Sequence, residues 1–343
     1  MSVMESMDTA TWFTAIPYFA LTLTLLFAIL LDNVLGEAKK YHYLVGFGWL
    51  CGWLEKRLNP EYDAKTSTIL PDSFSIKSAI LGGVAWTLLV LPLPIIYFFL
   101  FNDLAWYWQV LVDSVILYLA IGLNSLKAHA MQVYAPLKSG DVETARHFTG
   151  YLVSRDTQSL SPDEMSRATV ESMLENGHDS VIASIIYYLI GGASLVILHR
   201  LANTLDAMWG YKNSRFYSFG YVSARFDDLL GFFTGKCCSL LYALQGNVIE
   251  SIKNAYLQGN QYKSHNGGWV MAAGATVMNI RLGGLANYHG ALVKSVTLGN
   301  GKAIAIDDIP RSITLVQRAT ALLLLFVFCS QIYFFNMSLL TGR

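Results

Sequence analysis

The sequence predicts an all-α, polytopic integral membrane protein, and three observations carry that expectation. The 343 residues are 54% hydrophobic and only 14% charged, well short of the roughly 25% charged share of a soluble domain. Four segments, 11–31, 79–101, 105–126 and 319–340, are apolar over the roughly 20 residues needed to cross a hydrocarbon core. Period-two alternation is weak throughout, which leaves little for strands. Lys plus Arg and Asp plus Glu are 24 each, so no bulk field gathers nucleic acid. Cys51, Cys237, Cys238 and Cys329 form no C-x-x-C pair and read as reduced core thiols.

Taken in order, the first span has no basic residue ahead of it and reads as a retained segment rather than a cleaved leader. The second carries Gly82–Gly83 and the pair Pro92 and Pro94, which bend a membrane helix without breaking it. Trp106, Tyr107 and Trp108 open the third, where an aromatic belt sits. Asp113 lies inside that span, either as a buried functional acid or as a partner of a neighbouring helix. Basic residues number six in 32–78, five in 125–179 and twelve in 199–318. By the positive-inside rule these stretches face the cytoplasm and both termini lie outside. The whole chain, 1–343, reads as one membrane domain whose cytoplasm-facing parts are 32–78, 127–179 and 199–318.

The apolar stretch 180–198 is long enough to span, yet a single crossing would put the most basic stretch outside. Its centre holds Gly191–Gly192, a natural break. A re-entrant or protein-buried helical hairpin is therefore expected, with the same reading open for 229–244 and 269–280.

The polar stretches carry the chemistry. Ser161-Pro162-Asp163-Glu164 is a helix start with a capping box, and Gly177 after Asn176 predicts the helix end. Along that helix Arg167, Glu171 and Glu175 share a face. Two carboxylates one turn apart near a helix C-terminus repel each other and the dipole. Either cations neutralise them as a salt-bridged face, or they bind a metal such as Mg²⁺. Arg155-Asp156-Thr157 just upstream is a turn that grips an anion or simply pairs with itself. Asn203 and Asp206 share a helix face, followed by Tyr211, Lys212, Arg215, Arg225, Asp227 and Asp228. Asn266 opens a Gly-rich run through Arg281-Leu282-Gly283-Gly284 to Tyr288-His289-Gly290. Neither that run nor Gly299-Asn300-Gly301-Lys302 fits a phosphate-loop or dinucleotide fingerprint.

These segments together resemble the CobD/CbiB family, the membrane adenosylcobinamide-phosphate synthases of cobamide biosynthesis. Leu31–His42 (LDNVLGEAKKYH) resembles the family's opening L-D-x-x-L-G-E motif. Ser154–Ser184 resembles its R-D-T block followed by R-A-x-V-E-S-x-x-E-N. Leu201–Asp228 resembles the N-T-L-D-x-M-x-G-Y stretch, and the resemblance covers about residues 31–290. The chain departs at Ala38 and Tyr43, where the family has Pro and His-Pro, and at Val270-Met271, where it typically has Pro-Glu.

The resemblance implies an ATP-dependent ligase that joins adenosylcobyric acid to aminopropanol, its phosphate, or an ethanolamine equivalent, with Mg²⁺ as cofactor and ATP as co-substrate. The positions it marks are Glu171, Glu175, Asp206, Asp227 and Asp228 as metal ligands or bases, with Arg155 and Asp156 in the catalytic set. Arg155, Arg167, Lys212, Arg215 and Arg225 would meet phosphate or the corrinoid carboxylate. Asn176, Asn203, Asn266 and Tyr211 would hydrogen-bond substrate. A bacterial cytoplasmic (inner) membrane location is implied, with the active site facing the cytoplasm. The expected partners are the bilayer, the corrinoid, the amino alcohol or its phosphate and other membrane enzymes of the pathway; nucleic acid is not among them. Met271 leaves room for a second reading, a non-catalytic corrinoid-binding or regulatory membrane protein of the AmpE type. A transporter is disfavoured because no inverted repeat is found.

Overall fold

The computed structural model describes residues 16–36, 43–62, 73–153, 156–288 and 291–341. Five helical stretches among them are long and apolar enough to cross a membrane: Ile16–Leu35, Ile76–Phe101, Trp106–Ser139, Pro162–Trp209 and Asp308–Thr341. Four correspond to the expected spans and the fifth contains the apolar stretch broken by two glycines. The multi-pass, all-α expectation holds.

In chain order a short 3₁₀ turn leads into α1 (Ala20–Leu35), followed by α2 (Tyr43–Leu58). The second span is two helices, α3 (Ile76–Val90) and α4 (Pro92–Phe101). Pro92 sits at the first turn of α4, where its missing N–H costs nothing. The third is also divided, into α5 (Trp106–Ala120) and α6 (Leu123–Ser139). The break at Ile121–Gly122 replaces the continuous span expected over 105–126. A contact from another span stabilises it: the Asn124 N–H donates to Asp32 Oδ2 at 2.8 Å while Asn124 Nδ2 donates to the Asp32 carbonyl at 3.1 Å. A carboxylate at the end of α1 thus caps the start of α6.

After α7 (Val142–Thr149) comes α8 (Pro162–Asn176). Its predicted capping box is formed, with the Glu164 N–H on Ser161 Oγ and the Ser161 N–H on Glu164 Oε2. The predicted end is not. Gly177 is right-handed helical (φ −59°) and the chain runs through a π-helical turn, Gly177–Ile182, into α9 (Ala183–Trp209). Gly177 serves packing instead, since a Cβ there would lie 2.6 Å from Val316 Cγ2 and 2.8 Å from the Tyr242 hydroxyl.

The remaining elements are α10 (Tyr221–Ala243), α11 (Val248–Asn254), α12 (His265–Met278), a β-hairpin and α13 (Asp308–Thr341). The hairpin, β1 (Leu282–Tyr288) antiparallel to β2 (Ala291–Leu298), is the one strand pair among the described residues, placed where the sequence showed only a Gly-rich run. α10 lies along α12, close enough that a Cβ on Gly231 would collide with Asn266. Cys51 and Cys238 are buried as expected of core thiols, whereas Cys329 is exposed.

One core cluster unites α1, α5, α6 and α13 with α8, α12 and the first part of α9. A second gathers Phe47, Cys51, Trp86, Leu205, Trp209 and Phe219 between α2, α3 and the end of α9. Asp113 in α5 is 2% exposed and accepts from the Tyr97 hydroxyl of α4, the neighbour-bonded alternative for that acid.

Candidate active site

The site is built on a fold-back. Within α9 the backbone leaves helical geometry at Gly191 (φ −154°, ψ 30°) and Gly192 (φ 63°, ψ −163°), the second being a region open essentially to glycine alone. Tyr187 and His199, twelve residues apart, stack with ring centroids 4.9 Å apart; on a straight helix the two would be about 18 Å apart. Asp179 likewise interacts with both His199 and Arg200. The expected hairpin is therefore present, with one arm running from α8 to residue 190 and the other from 193 to 209.

The fold-back collects carboxylates. Asp179 at the base of the first arm pairs with His178 Nδ1 at 2.7 Å. Asp206 near the end of the second arm interacts with Asp179 and with Asp228 of α10. Glu175 interacts with Asp179, Glu171, Asp206 and Lys263. Asp227 accepts from Asn203 Nδ2 at 3.1 Å, and Asn266 Nδ2 holds the Asp228 carbonyl at 2.9 Å. Two glycines make the crowding possible. A Cβ on Gly210 would collide with the Asp206 carboxylate, and one on Gly267 with Glu175 Oε1.

Charges of one sign held together in a half-buried site are costly unless a cation joins them. Burial, then the Asp179 and Asp206 carboxylates, raise Asp227 well above the ordinary carboxylate range. The raised value means the fold favours the protonated form. That contribution to stability is complete below the unfolded carboxylate pKa and is lost as pH rises through the folded one. Asp227→Asn is therefore expected to raise the thermal midpoint of the ligand-free protein near pH 7 by about 2–4 °C, with the gain vanishing near pH 4. Melting curves across that range check it.

Two cavities lie near Glu175, the member of the cluster found in a cavity wall. The larger, about 430 Å³, is lined by Asp32, Tyr43, His129, Asn176, Ser180 and Arg200 among others. The smaller, about 170 Å³, has Glu171, Glu175, Lys263 and Met271 in its wall and shares Ser172 and Asn176 with the first. Met271, where the resembling family typically carries Glu, is buried against that smaller space at 1% exposure.

The structure thus brings together Glu175, Asn203, Asp206, Asp227, Asp228 and Asn266, with Asn176 at the cleft. Other marked residues are engaged elsewhere. Arg167 Nη1 donates to the Gly283 carbonyl at 3.0 Å and Glu171 Oε1 accepts the Gly283 N–H at 2.7 Å, so both clasp one residue of β1. Asp156 accepts the Gln158 N–H in an exposed local turn; Arg155 lies outside the described residues. Tyr211 and Lys212 are exposed, and Arg225 pairs with Asp228 at 3.6 Å on the surface of α10.

Arg215 Nε bonds Glu55 Oε1 at 2.6 Å and its guanidinium lies over Tyr62. Removing the cation would leave Glu55 charged at 4% exposure. Arg215→Gln is accordingly expected to cost about 3–5 kcal/mol of stability, read as a lowered unfolding midpoint that Glu55→Gln in the same chain partly restores.

Sequence reasoning missed Asp32, Asp179 and Arg200. Asp179 continues the Glu171–Glu175 series by one more turn, and ending the helix at Gly177 removed it from view. Arg200 directly follows the Gly-broken apolar stretch, a position where an ionisable residue is a functional signal.

The same segments carry the comparison with known proteins. A family profile described as CobD/Cbib protein matches residues 25–316. The chain belongs to the CobD/CbiB family. Relatives named cobalamin biosynthesis protein CobD include one from Chromobacterium violaceum, 39% identical over 85% of this chain and 90% of its own length. One from Stutzerimonas stutzeri is 39% identical over 88% and 95%, and one from Halalkalibacterium halodurans 32% over 88% and 93%. No solved structure matches the chain. In this CobD/CbiB member the matched region contains both arms of the hairpin and the acids they carry.

Proposed function

We propose that this chain acts in cobalamin biosynthesis as an ATP-dependent amide ligase that joins adenosylcobyric acid to aminopropanol, aminopropanol phosphate or an ethanolamine equivalent. The observation that carries the reading is the set of acids Glu175, Asp179, Asp206 and Asp227, which act on one another electrostatically across the fold-back, next to one cavity walled by Glu175 and Lys263 and another walled by Arg200.

The residues present fit Mg²⁺. Among the described residues no three His, Cys, Asp or Glu side chains are grouped so as to hold a metal ion by themselves. Mg²⁺ is instead commonly held by one or two carboxylates together with substrate phosphates. Asp206 and Asp227 would hold it, with Glu175, Asp228 and Glu171 as further candidates; among the described residues Asn266 Oδ1 is buried without a hydrogen-bond partner while its Nδ2 holds the Asp228 carbonyl. Bound there, the ion would neutralise phosphate charge and act as a Lewis acid.

A carboxylate is a poor acyl donor. In the proposed reaction the corrinoid carboxylate oxygen attacks the γ-phosphorus of ATP and ADP leaves. The amine nitrogen then attacks the acyl carbon of the resulting acyl phosphate, inorganic phosphate departs, and an unpaired carboxylate of the cluster takes the amine proton. Lys263 balances anionic charge that gathers on the substrates, while Asn176 and Asn203 orient them. The three basic stretches support a site on the cytoplasmic side of a bacterial inner membrane, where other membrane enzymes of the pathway would be its neighbours.

Met271 favours one alternative, a corrinoid-binding or regulatory protein without turnover. Purified full-length protein given adenosylcobyric acid, aminopropanol phosphate, ATP and Mg²⁺ separates the two. Amide product with equimolar ADP is expected; corrinoid binding without ADP release for any of the amines would establish the alternative.

A further inference from the structure

The 430 Å³ cleft, whose wall mixes polar and apolar side chains, does not end at Arg200. A second space of about 320 Å³ lies on the other side of that residue, walled by Leu93, Ile96, Tyr97, Phe101, Val196 and Ile197 among others. The two spaces share Tyr43, Leu119, Ala120 and Arg200. The second is lined almost wholly by apolar side chains of α4, α5 and the second hairpin arm, and Leu93 and Ile96 on its outer rim are half exposed on a span.

Arg200 at the junction is under-used. A guanidinium has five donors. Among the described residues its one hydrogen bond reaches Asn203 Oδ1 at 3.4 Å, and its Nε is buried with no partner. Its acidic neighbour, Asp179, is already paired with His178. A half-buried guanidinium with spare donors, at the boundary between a cleft of mixed lining and an apolar groove, suits a ligand with an anionic head and a hydrocarbon tail.

We propose that this junction is a binding site for one anionic phospholipid, its phosphate on Arg200 and an acyl chain in the apolar groove. Charge complementarity at Arg200 and the opening of the groove on a span's outer face both favour a membrane lipid over a soluble phosphate. The inference does not rest on the ligase reading, because it is tested by binding alone.

The full-length protein is equilibrated with bicelles of phosphatidylglycerol in phosphatidylcholine, re-isolated, and its retained lipid quantified by mass spectrometry. Enrichment of phosphatidylglycerol over the bulk ratio is expected. Arg200→Gln should lower that enrichment on the order of tenfold, equivalent to about 1.4 kcal/mol. Leu93→Trp, at a half-exposed position that tolerates bulk, should also reduce it by filling the groove. Both variants are compared at matched thermal midpoints.

Glycerol 3-phosphate supplies the competing arm. If it displaces the lipid at equal concentration and Leu93→Trp has no effect, the site takes a soluble phosphoanion and the proposal fails. Retained lipid at the bulk ratio overturns it as well.

Discussion

Asp206→Asn should lower amide formation by roughly a hundredfold or more, the scale seen when a single electrostatic contact to developing charge is removed. The substitution is isosteric and keeps the packing that the absence of a Cβ on Gly210 permits. It removes one charge from a cluster that includes Asp179 and Asp228, so the protein should be no less stable than the native one. Loss of turnover with an unchanged or raised unfolding midpoint, together with a higher Mg²⁺ requirement, is the expected signature. Native turnover with an unaltered Mg²⁺ dependence would remove Asp206 from the proposed chemistry. Gly210→Ala tests the same residue from outside, since its methyl group displaces the carboxylate without touching its charge.

Gly192→Ala is expected to have the largest effect on the architecture. The backbone there has φ 63° and ψ −163°, and a side chain in that region costs about 1–3 kcal/mol. The strain is relieved if residues 183–209 straighten into one helix, which carries Arg200 and Asp206 away from Asp179. Both the unfolding midpoint and turnover should fall. Gly191→Ala is the informative control. Gly191 has a negative φ (−154°), outside the left-handed region, and its added methyl group would meet the flexible Leu195 side chain rather than backbone. A milder loss is expected there. Equal effects at both positions would argue that bulk, not backbone conformation, sets the requirement.

Much of this was legible in the residues. The apolar spans announce themselves by length, the capping box at Ser161 by its spacing, and the fold-back by two adjacent glycines between apolar arms of opposite fate. The CobD/CbiB resemblance followed from motifs in those same arms. The β-hairpin was not legible, because Gly283 and Gly284 adopt positive φ in a segment whose clasp, Arg167 and Glu171, comes from a helix more than a hundred residues away. The break at Ile121–Gly122 was hidden for the same reason: it is stabilised by Asp32, distant in sequence. Gly177 misled because glycine after Asn is a stop signal locally, while here it makes space for Val316 and Tyr242. Local rules read local structure; the site is a tertiary object assembled by long-range contacts.

The account turns on the fold-back that brings both arms to one cleft. Cysteines introduced at Tyr187 and His199, in a chain whose four native cysteines are replaced, test it in the membrane with a short bismaleimide. Rings stacked at 4.9 Å predict efficient intramolecular cross-linking, lost when Gly192→Ala is added. No cross-link in the glycine-intact chain, as a straight helix with a separation of about 18 Å would give, would contradict the arrangement on which the site depends.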